Sequence, residues 1–577
     1  DSLGRRHYRR PMAGSTSTLV PDSDHSFLFS EIVPDPRWEH RSWSVIRRYD
    51  AEKNRFETLT RHSRYLNPVP SADKQKILAA EYKVEGGSNV VILSNEGELL
   101  ERIPAPAGGQ VTGIATLQGD IFATIVTEKG MGLYRYRGSW KSVVLPQSRM
   151  IRDLRADGDS LLYFVSDLDG LSNIYTFDPE KDLLHRVTSA RFGAANPLLE
   201  GDGTLYYSDY DHLGYQPVKA ALDSLPRRIH SFWNPYVNEL AERNARQAAI
   251  HTHTLRPDEE AQLRSQIDSL EERPYSKLAH GIHIHSWAPF YANVNRLMND
   301  LGSFDLNHFS NWYEFIAPGA TVVAQNTLGT LVGTAGYSYH DKHHAGHVYA
   351  RYSGLYPVFE IAADFNERNR TLSSVSATPH GGTGFRLDTL SAPALVINTR
   401  MSVPLNFSRG GWITQLQPSL GVAWTNDAFE FRHPGEAEFH TGDHTLLVTG
   451  RLRFSTQMAR PAARLTPRFG FGIELNDMFR LGPAVNNVFG LSAWTFFPGF
   501  GKEDGFKLTY NRQYQADNRA LYSQSFNLVR RPYGFDNQIL MNYHRLYLQY
   551  ALPIYAGDLS GGFFFYPKRI QLVPFVD

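Results

Sequence analysis

Two alternations of apolar and polar residues run along this chain, and they differ in length. In the first part they are short and broken by turns. Ser44 to Thr60 (SVIRRYDAEKNRFETLT) and Ser172 to Thr188 (SNIYTFDPEKDLLHRVT) match without a gap, with Ser, Ile, Asp, Glu, Lys and Thr at the same offsets. Each copy reads as a strand, a polar turn and a second strand, half of a four-stranded meander. The other half recurs as well. Ser71-Ala72-Asp73 precedes KQKILAAEY, Ala156-Asp157-Gly158 precedes DSLLYFVSD, Gly201-Asp202-Gly203 precedes TLYYSDY, and Asp24 in PDSDHSFLFSE holds the same place. Neighbouring anchors fall roughly 40–50 residues apart, the period of a propeller blade, with one gap about twice that. Asp-Gly supplies a tight turn and the run after it a half-buried strand. The pattern predicts about five blade-like units; a β-sandwich with accidental internal similarity is the alternative.

From about Gly319 onward the alternations lengthen. In FEIAADFN, Phe359, Ile361, Ala363 and Phe365 share one face, and Glu360, Ala362, Asp364 and Asn366 the other. Leu446, Val448, Leu452 and Phe454 oppose Thr449, Arg451, Arg453 and Ser455, and Phe506, Leu508 and Tyr510 oppose Lys507, Thr509 and Asn511. GWITQLQPSLGVAWTN puts Trp412, Leu416, Leu420, Val422 and Trp424 on one face. About twelve steps of ~3.3 Å make a strand of about 40 Å. Tilted by ~45° it rises about 28 Å, close to the ~25 Å apolar band of outer-membrane barrels. Soluble strands usually stop after five or six residues. About a dozen such strands are predicted, with a short loop at Gly354 to Pro357 and long ones at Arg368 to Gly384 and Asn426 to Asp443. A large soluble barrel or a second propeller would alternate too; strand length argues against both.

Between the two patterns, NELAERNARQAAIHT and DEEAQLRSQIDSLEE are rich in helix formers and charged on most faces, which predicts a solvated helical linker. The fold expected is therefore all-β. A β-propeller-like domain over 1–225, a short helical linker over 226–276 and an antiparallel transmembrane β-barrel over 277–577 make up the chain.

The blade pattern, closest over Asp153 to Thr188, resembles the TolB-type, WD40-like propeller family. PYSKLAHGIHIHSWAPFY (274–291) resembles the segment that leads into Bacteroidetes-type outer-membrane barrels. PGATVVAQNTLGT (318–330), LYPVFEIAADF (355–365) and YLQYALPIYAGDLSGGFFFYPKRIQLVPFVD (547–577) resemble the bacterial surface antigen superfamily, the BamA-like barrels. That resemblance implies further strands after Asp577, since an unpaired strand edge is not viable in lipid. The count of about five blade-like units, against the four to eight of closed propellers, leads to the expectation that part of the propeller lies before Asp1. No POTRA-like run precedes the barrel, so an insertase role finds no matching residues.

Composition narrows the chemistry. Lys+Arg number 59 and Asp+Glu 59, which gives no electrostatic reason to expect nucleic acid. There are no cysteines, so disulfides, Cys-ligated zinc and thiol catalysis are excluded. The 30 Tyr and 34 Phe favour strands and membrane interfaces. Mean hydropathy is −0.38, which a barrel also gives because every second residue faces its lumen.

No HExxH, GxSxG, P-loop or Rossmann fingerprint occurs, so no catalytic or cofactor-binding residue is assigned. His340, His343, His344 and His347, in HDKHHAGH with Asp341, have spacings that suit Zn or Cu, but a polar hairpin turn is the preferred reading. The alternating pairs His251/His253 and His283/His285 read as structural. Asp167, Asp169 and Gly170 lack the remaining ligands of an EF-hand and read as a propeller turn.

Three functions compete. In the first, the barrel sits in outer-membrane lipid and a periplasmic propeller docks proteins or peptides of the periplasm or outer membrane, in translocation or assembly. In the second, the chain is the non-catalytic part of a membrane-anchored metallopeptidase-like protein. In the third it is a solute transporter or receptor.

Overall fold

The computed structural model describes residues 19–23, 25–157, 161–232, 239–240, 243–244, 246–247, 256–271, 276, 281–293, 316–340, 343–366, 371–377, 383–389, 395–430, 440–460, 464–481, 487–515, 529–530, 532, 542–555 and 569–577. They fall into two compact units that divide between Glu272 and Arg273, with Asp35–Glu39 assigned to the second.

The first unit is five antiparallel sheets in chain order, a propeller-like arrangement. Blade 1 holds Val20–Pro21, Ser26–Pro34, Ser42–Asp50 and Arg55–Thr58. Blade 2 holds Tyr65–Pro70, Lys76–Tyr82, Ser88–Ser94 and Leu99–Pro104. Blade 3 holds Gln110–Leu117, Asp120–Thr127, Gly130–Tyr136 and Trp140–Gln147. Blade 4 holds Ile151–Ala156, Leu162–Ser166, Asn173–Asp178 and Leu183–Arg186, and blade 5 holds Ala194–Leu199, Thr204–Asp211 and Gly214–Ala221.

Both copies of the repeat are the third and fourth strands of a blade. Blade 3 fills the double gap. Its first turn is Gln118-Gly119 rather than Asp-Gly, and both residues are left-handed (φ 52 and 83), as a two-residue hairpin with twisted strands demands. The chain then passes residue 225 and returns to blade 4, where Arg228–His230 pairs with Leu183–Arg186. Phe232 follows it into the core against Phe164 and Phe177.

Blades are held by the apolar seams between them. Leu28 and Ile46 of blade 1 meet Ile77, Ala79, Val91 and Leu93 of blade 2. Leu78, Val90 and Ile103 of blade 2 meet Ile114, Ile121 and Ile125 of blade 3. Leu117, Phe122 and Leu133 meet Phe164, Tyr175 and Phe177 of blade 4, and Val165 and Ile174 meet Leu205 and Leu222 around blade 5. A strand between two seams is apolar on both faces, which is why Asn173–Asp178 is buried throughout. Each such Leu, Ile or Phe contributes roughly 1.5–3 kcal/mol on burial.

The linker helix forms over Pro257–Asp268. Proline occupies its first turn with Asp258, Glu259 and Glu260, and Glu259 Oε2 accepts the Arg256 N–H at 2.9 Å. The helix is exposed along almost all of its length. Most of the other predicted helical segment lies outside the described residues.

Among the described residues the second unit is an antiparallel sheet of fifteen strands with a separate two-stranded hairpin beside it. Thirteen follow one another from His283–Ala292 to Arg569–Leu572, and among the described residues those two end strands do not pair. Strands reach nineteen residues at Trp412–Glu430 and at His440–Met458. The long loops predicted at 368–384 and 426–443 are therefore shorter than expected. Thr371–Ala377 and Thr383–Thr389 pair as a hairpin of their own, and the strands flanking the other loop run on through Glu430 and resume at His440.

Register carries one face across the sheet. Val348 lies opposite Ala363, Ala363 opposite Ile397, Ile397 opposite Trp424, and Trp424 opposite Leu446. Leu452 continues through Leu475 to Leu491. Large apolar side chains on this face stand exposed, among them Trp287, Val348, Ile361, Leu420, Leu452 and Leu546. The opposite face carries most of the charges, while Arg512, bonded to His544, and Asp477 share the apolar face near its end.

Candidate functional site

The inner strands of the five blades enclose a cavity of about 590 Å³. Val20 and Pro21 line it from blade 1, Asn67–Ala72 from blade 2 and Thr112–Thr116 from blade 3; Asp153–Asp157 and Leu198–Gly201 complete the wall. Four of the inner strands carry a β-bulge at the same station. Asn67 and Pro68 face Ala79 alone, Asp153 and Leu154 face Phe164, and Asn196 and Pro197 face Tyr207; in blade 3 the extra residue is Thr112. Asn67, Asp153 and Asn196 are all left-handed (φ 52, 53 and 53), a conformation that Asn and Asp tolerate better than other side chains.

A bulge takes backbone groups out of the ladder and turns the strand. Here it turns the inner strands of blades 2 to 5 at the same station. Asn67 Nδ2 donates to the Thr112 carbonyl at 2.9 Å, and the Thr116 hydroxyl donates to the Pro70 carbonyl at 3.1 Å, so the bulged strands of blades 2 and 3 are tied directly. Arg155 Nη2 donates to the Leu19 carbonyl at 3.3 Å. Val69, Ile114, Leu154 and Leu198 give the wall apolar character, while Lys74, Asp153, Arg155 and Glu200 add charge of both signs. Burial pushes the Tyr163 phenol up, which keeps it neutral. Its wall thus combines apolar side chains with backbone groups that the bulges take out of the ladder. Sequence reading missed these bulges; the signal was the Asn-Pro pair repeated at 67–68 and 196–197.

The polar face of the large sheet is knit by ion pairs. Glu360 accepts from Arg400 (2.5 Å) and from the Tyr349 hydroxyl (3.0 Å), with Arg351 at 3.9 Å. Glu474 accepts from Arg451 at 2.9 Å, and Arg545 grips both carboxylate oxygens of Asp577 at 2.7 Å. Residues 529–530 lie on this face as well: Tyr543 donates to the Val529 carbonyl at 2.7 Å and Asn511 Nδ2 to that of Arg530 at 3.4 Å.

The histidine cluster is divided rather than assembled. Leu331–His340 and His343–Tyr352 form a hairpin, so these histidines stand in its strands and not in the turn. His344 lies opposite Tyr339 and its Nδ1 meets the Tyr337 hydroxyl at 2.6 Å. His347, three residues on, takes the other face, buried at 3% exposure beside Tyr291, where a Cβ on Gly336 would come within 2.6 Å of its ring. The side chains of His340 and His343 lie outside the described residues. Among the described residues no three His, Asp or Glu side chains converge as metal ligands.

His283 and His285 are exposed on the edge strand, while His251 and His253 lie outside the described residues. Asp167 accepts the Met150 N–H at 3.0 Å, and its carbonyl accepts the Gly170 N–H at 2.9 Å. Asp169 binds Arg186 and accepts the Tyr175 hydroxyl at 3.0 Å, so both carboxylates serve the blade turn.

No protein-family model and no curated protein matches the chain. Solved structures similar to it include TolB from Acinetobacter baumannii, at 15% identity and a TM-score of 0.29, over 36% of this chain and 53% of that one. The chain thus matches about half the length of that protein. A putative TolB from Agrobacterium tumefaciens matches at 12% identity and a TM-score of 0.30, over 37% of this chain and 80% of that one. Dipeptidyl peptidase 4 from Porphyromonas gingivalis matches at 8% identity and a TM-score of 0.25, over 39% and 38%. At these scores the propeller-like character of the first unit rests on its own sheets and seams.

Proposed function

We propose that this chain is an outer-membrane protein whose long-stranded sheet forms the wall of a β-barrel and whose propeller is a periplasmic platform that docks proteins or peptides. The observation that carries the reading is the exposed apolar face joined by register across the sheet, backed by an ion-paired polar face. Soluble sheets bury such a face; lipid accepts it. Strands of eleven to thirteen residues, such as Gly470–Leu481, Gly505–Gln515 and Tyr543–Tyr555, match the ~25 Å apolar band of such barrels, and the two of nineteen residues run on beyond it. Among the described residues no helix is long and apolar enough to cross a membrane, which says nothing of strands. Docking follows from the axial cavity, with its apolar wall and its ring of bulges.

The test is fractionation of cells making the protein, with gels of boiled and unboiled samples. Recovery with outer membranes and a heat-dependent mobility shift is expected. Recovery in the soluble fraction without detergent, with no shift, would overturn the membrane reading.

A further inference from the structure

A second cleft, of about 1040 Å³, opens where blades 1 and 2 meet, at the start of the inner strand of blade 2. Its charges are unbalanced in a specific way. Glu81 is neutralised within the cleft: Arg102 Nε donates to it at 3.0 Å and Asn89 Nδ2 at 2.7 Å. Asn89 is itself 4% exposed and its Oδ1 has no hydrogen-bond partner, so the carboxamide is fixed by Glu81 alone. Arg61, Arg64 and Lys83 line the same cleft, are exposed, and have no carboxylate of the described residues within ion-pair distance, although Lys83 is near enough to add to the attraction on Glu81. Glu85 is the one further carboxylate in the lining. Trp43, Tyr65 and Tyr82 are half-buried aromatic residues of the lining; Arg41 stacks over the Trp43 ring at 4.6 Å and His62 lies edge-on to it at 5.1 Å.

We infer that this cleft is a binding site for an acidic oligosaccharide. Unpaired guanidinium and ammonium groups recognise carboxylates or phosphates, guanidinium in a bidentate manner. Three of them around one opening call for a ligand with more than one anionic group. Aromatic rings offer flat apolar faces to sugar rings. The volume exceeds what a lone phosphate fills. The inference stands on the propeller unit by itself and does not depend on membrane placement.

The experiment is titration calorimetry on the full chain in detergent, with trigalacturonate, neutral maltotriose and inorganic phosphate as probes. Trigalacturonate is expected to bind, maltotriose not to bind, and phosphate to bind far more weakly. The exposed triple variant Arg61→Gln/Arg64→Gln/Lys83→Gln is expected to weaken trigalacturonate at least tenfold. Lys129→Gln/Lys141→Gln, which removes two exposed charges from blade 3, should leave it unchanged. No binding by the native chain, or equal loss in both variants, would overturn the inference. Phosphate binding as tightly as trigalacturonate would overturn the saccharide assignment.

Discussion

Thr60 and Thr188 end the two copies of the repeat, and each does the same work. Thr60 Oγ1 accepts the Ile46 N–H at 2.8 Å, and Thr188 Oγ1 accepts that of Ile174 at 2.9 Å. Asn54 and Asp182, ten residues into each copy, are both left-handed (φ 48 and 51), and the aspartates Asp50 and Asp178 accept the N–H groups of Lys53 and Lys181. The repeat is thus a set of turn and strand-end hydrogen bonds. Asp120 is a buried counterpart in blade 3. It accepts from Arg137 at 2.7 and 2.8 Å and from Arg135 at 2.5 Å, and these bonds, Arg137 first, hold its carboxyl below the usual range against the opposing effect of burial. A carboxyl lowered by folding stabilises above its unfolded pKa of about 4 and loses that contribution as pH falls through the folded value. Asp120→Asn is expected to cost about 2 kcal/mol at pH 7, less than a fully buried pair because Arg137 is largely exposed. Denaturant midpoints would show the gap between variant and native chain closing as pH falls below about 4. A gap independent of pH would refute the assignment.

At the scale of elements, parity along a strand decides environment. Val422 lies opposite Thr399 and Val448 on the apolar face, and its neighbour Gly421 lies opposite Thr449 on the polar one. If the apolar face meets lipid, Val422→Arg puts a charge into it at a cost of about 2–4 kcal/mol near mid-height. Thr449→Arg joins a face that already holds Arg451 and Arg453 beside Glu474, and is expected to be tolerated. Heat-dependent mobility of the two variants measures this: the first should lose most folded barrel and the second little. Equal loss would mean that both faces are packed alike. Gly472 shows the polar face is shaped as well as charged. A Cβ there would sit 2.2 Å from the Trp494 ring, so the glycine makes room for an indole that Arg453 covers at 5.7 Å.

For the whole molecule, the absence of cysteine is an experimental opening. A single Lys219→Cys on blade 5 gives one thiol on an exposed strand. In the proposed placement an impermeant maleimide should label it only after the outer membrane is permeabilised. Labelling on intact cells would put the propeller outside and end its role as a periplasmic platform.

Period-two alternation, strand length and the gapless repeat were enough to predict an all-β chain in two parts, because each is a property of neighbours along the backbone. Phe359 and Glu360 part company whatever surrounds them. The missing third blade and the inner-strand bulges were not readable in that way: Gln118-Gly119 satisfies the same turn with a different residue, and Asp153 is ordinary until a register makes it the extra residue. The histidines fail for the same reason. Spacing puts His344 and His347 close in sequence, but only strand pairing decides that they lie in a strand, where three steps part their faces, rather than in the turn. The cleft of Arg61, Arg64 and Lys83 likewise exists only once two blades pack, since which cations remain unpaired depends on where distant carboxylates come to rest.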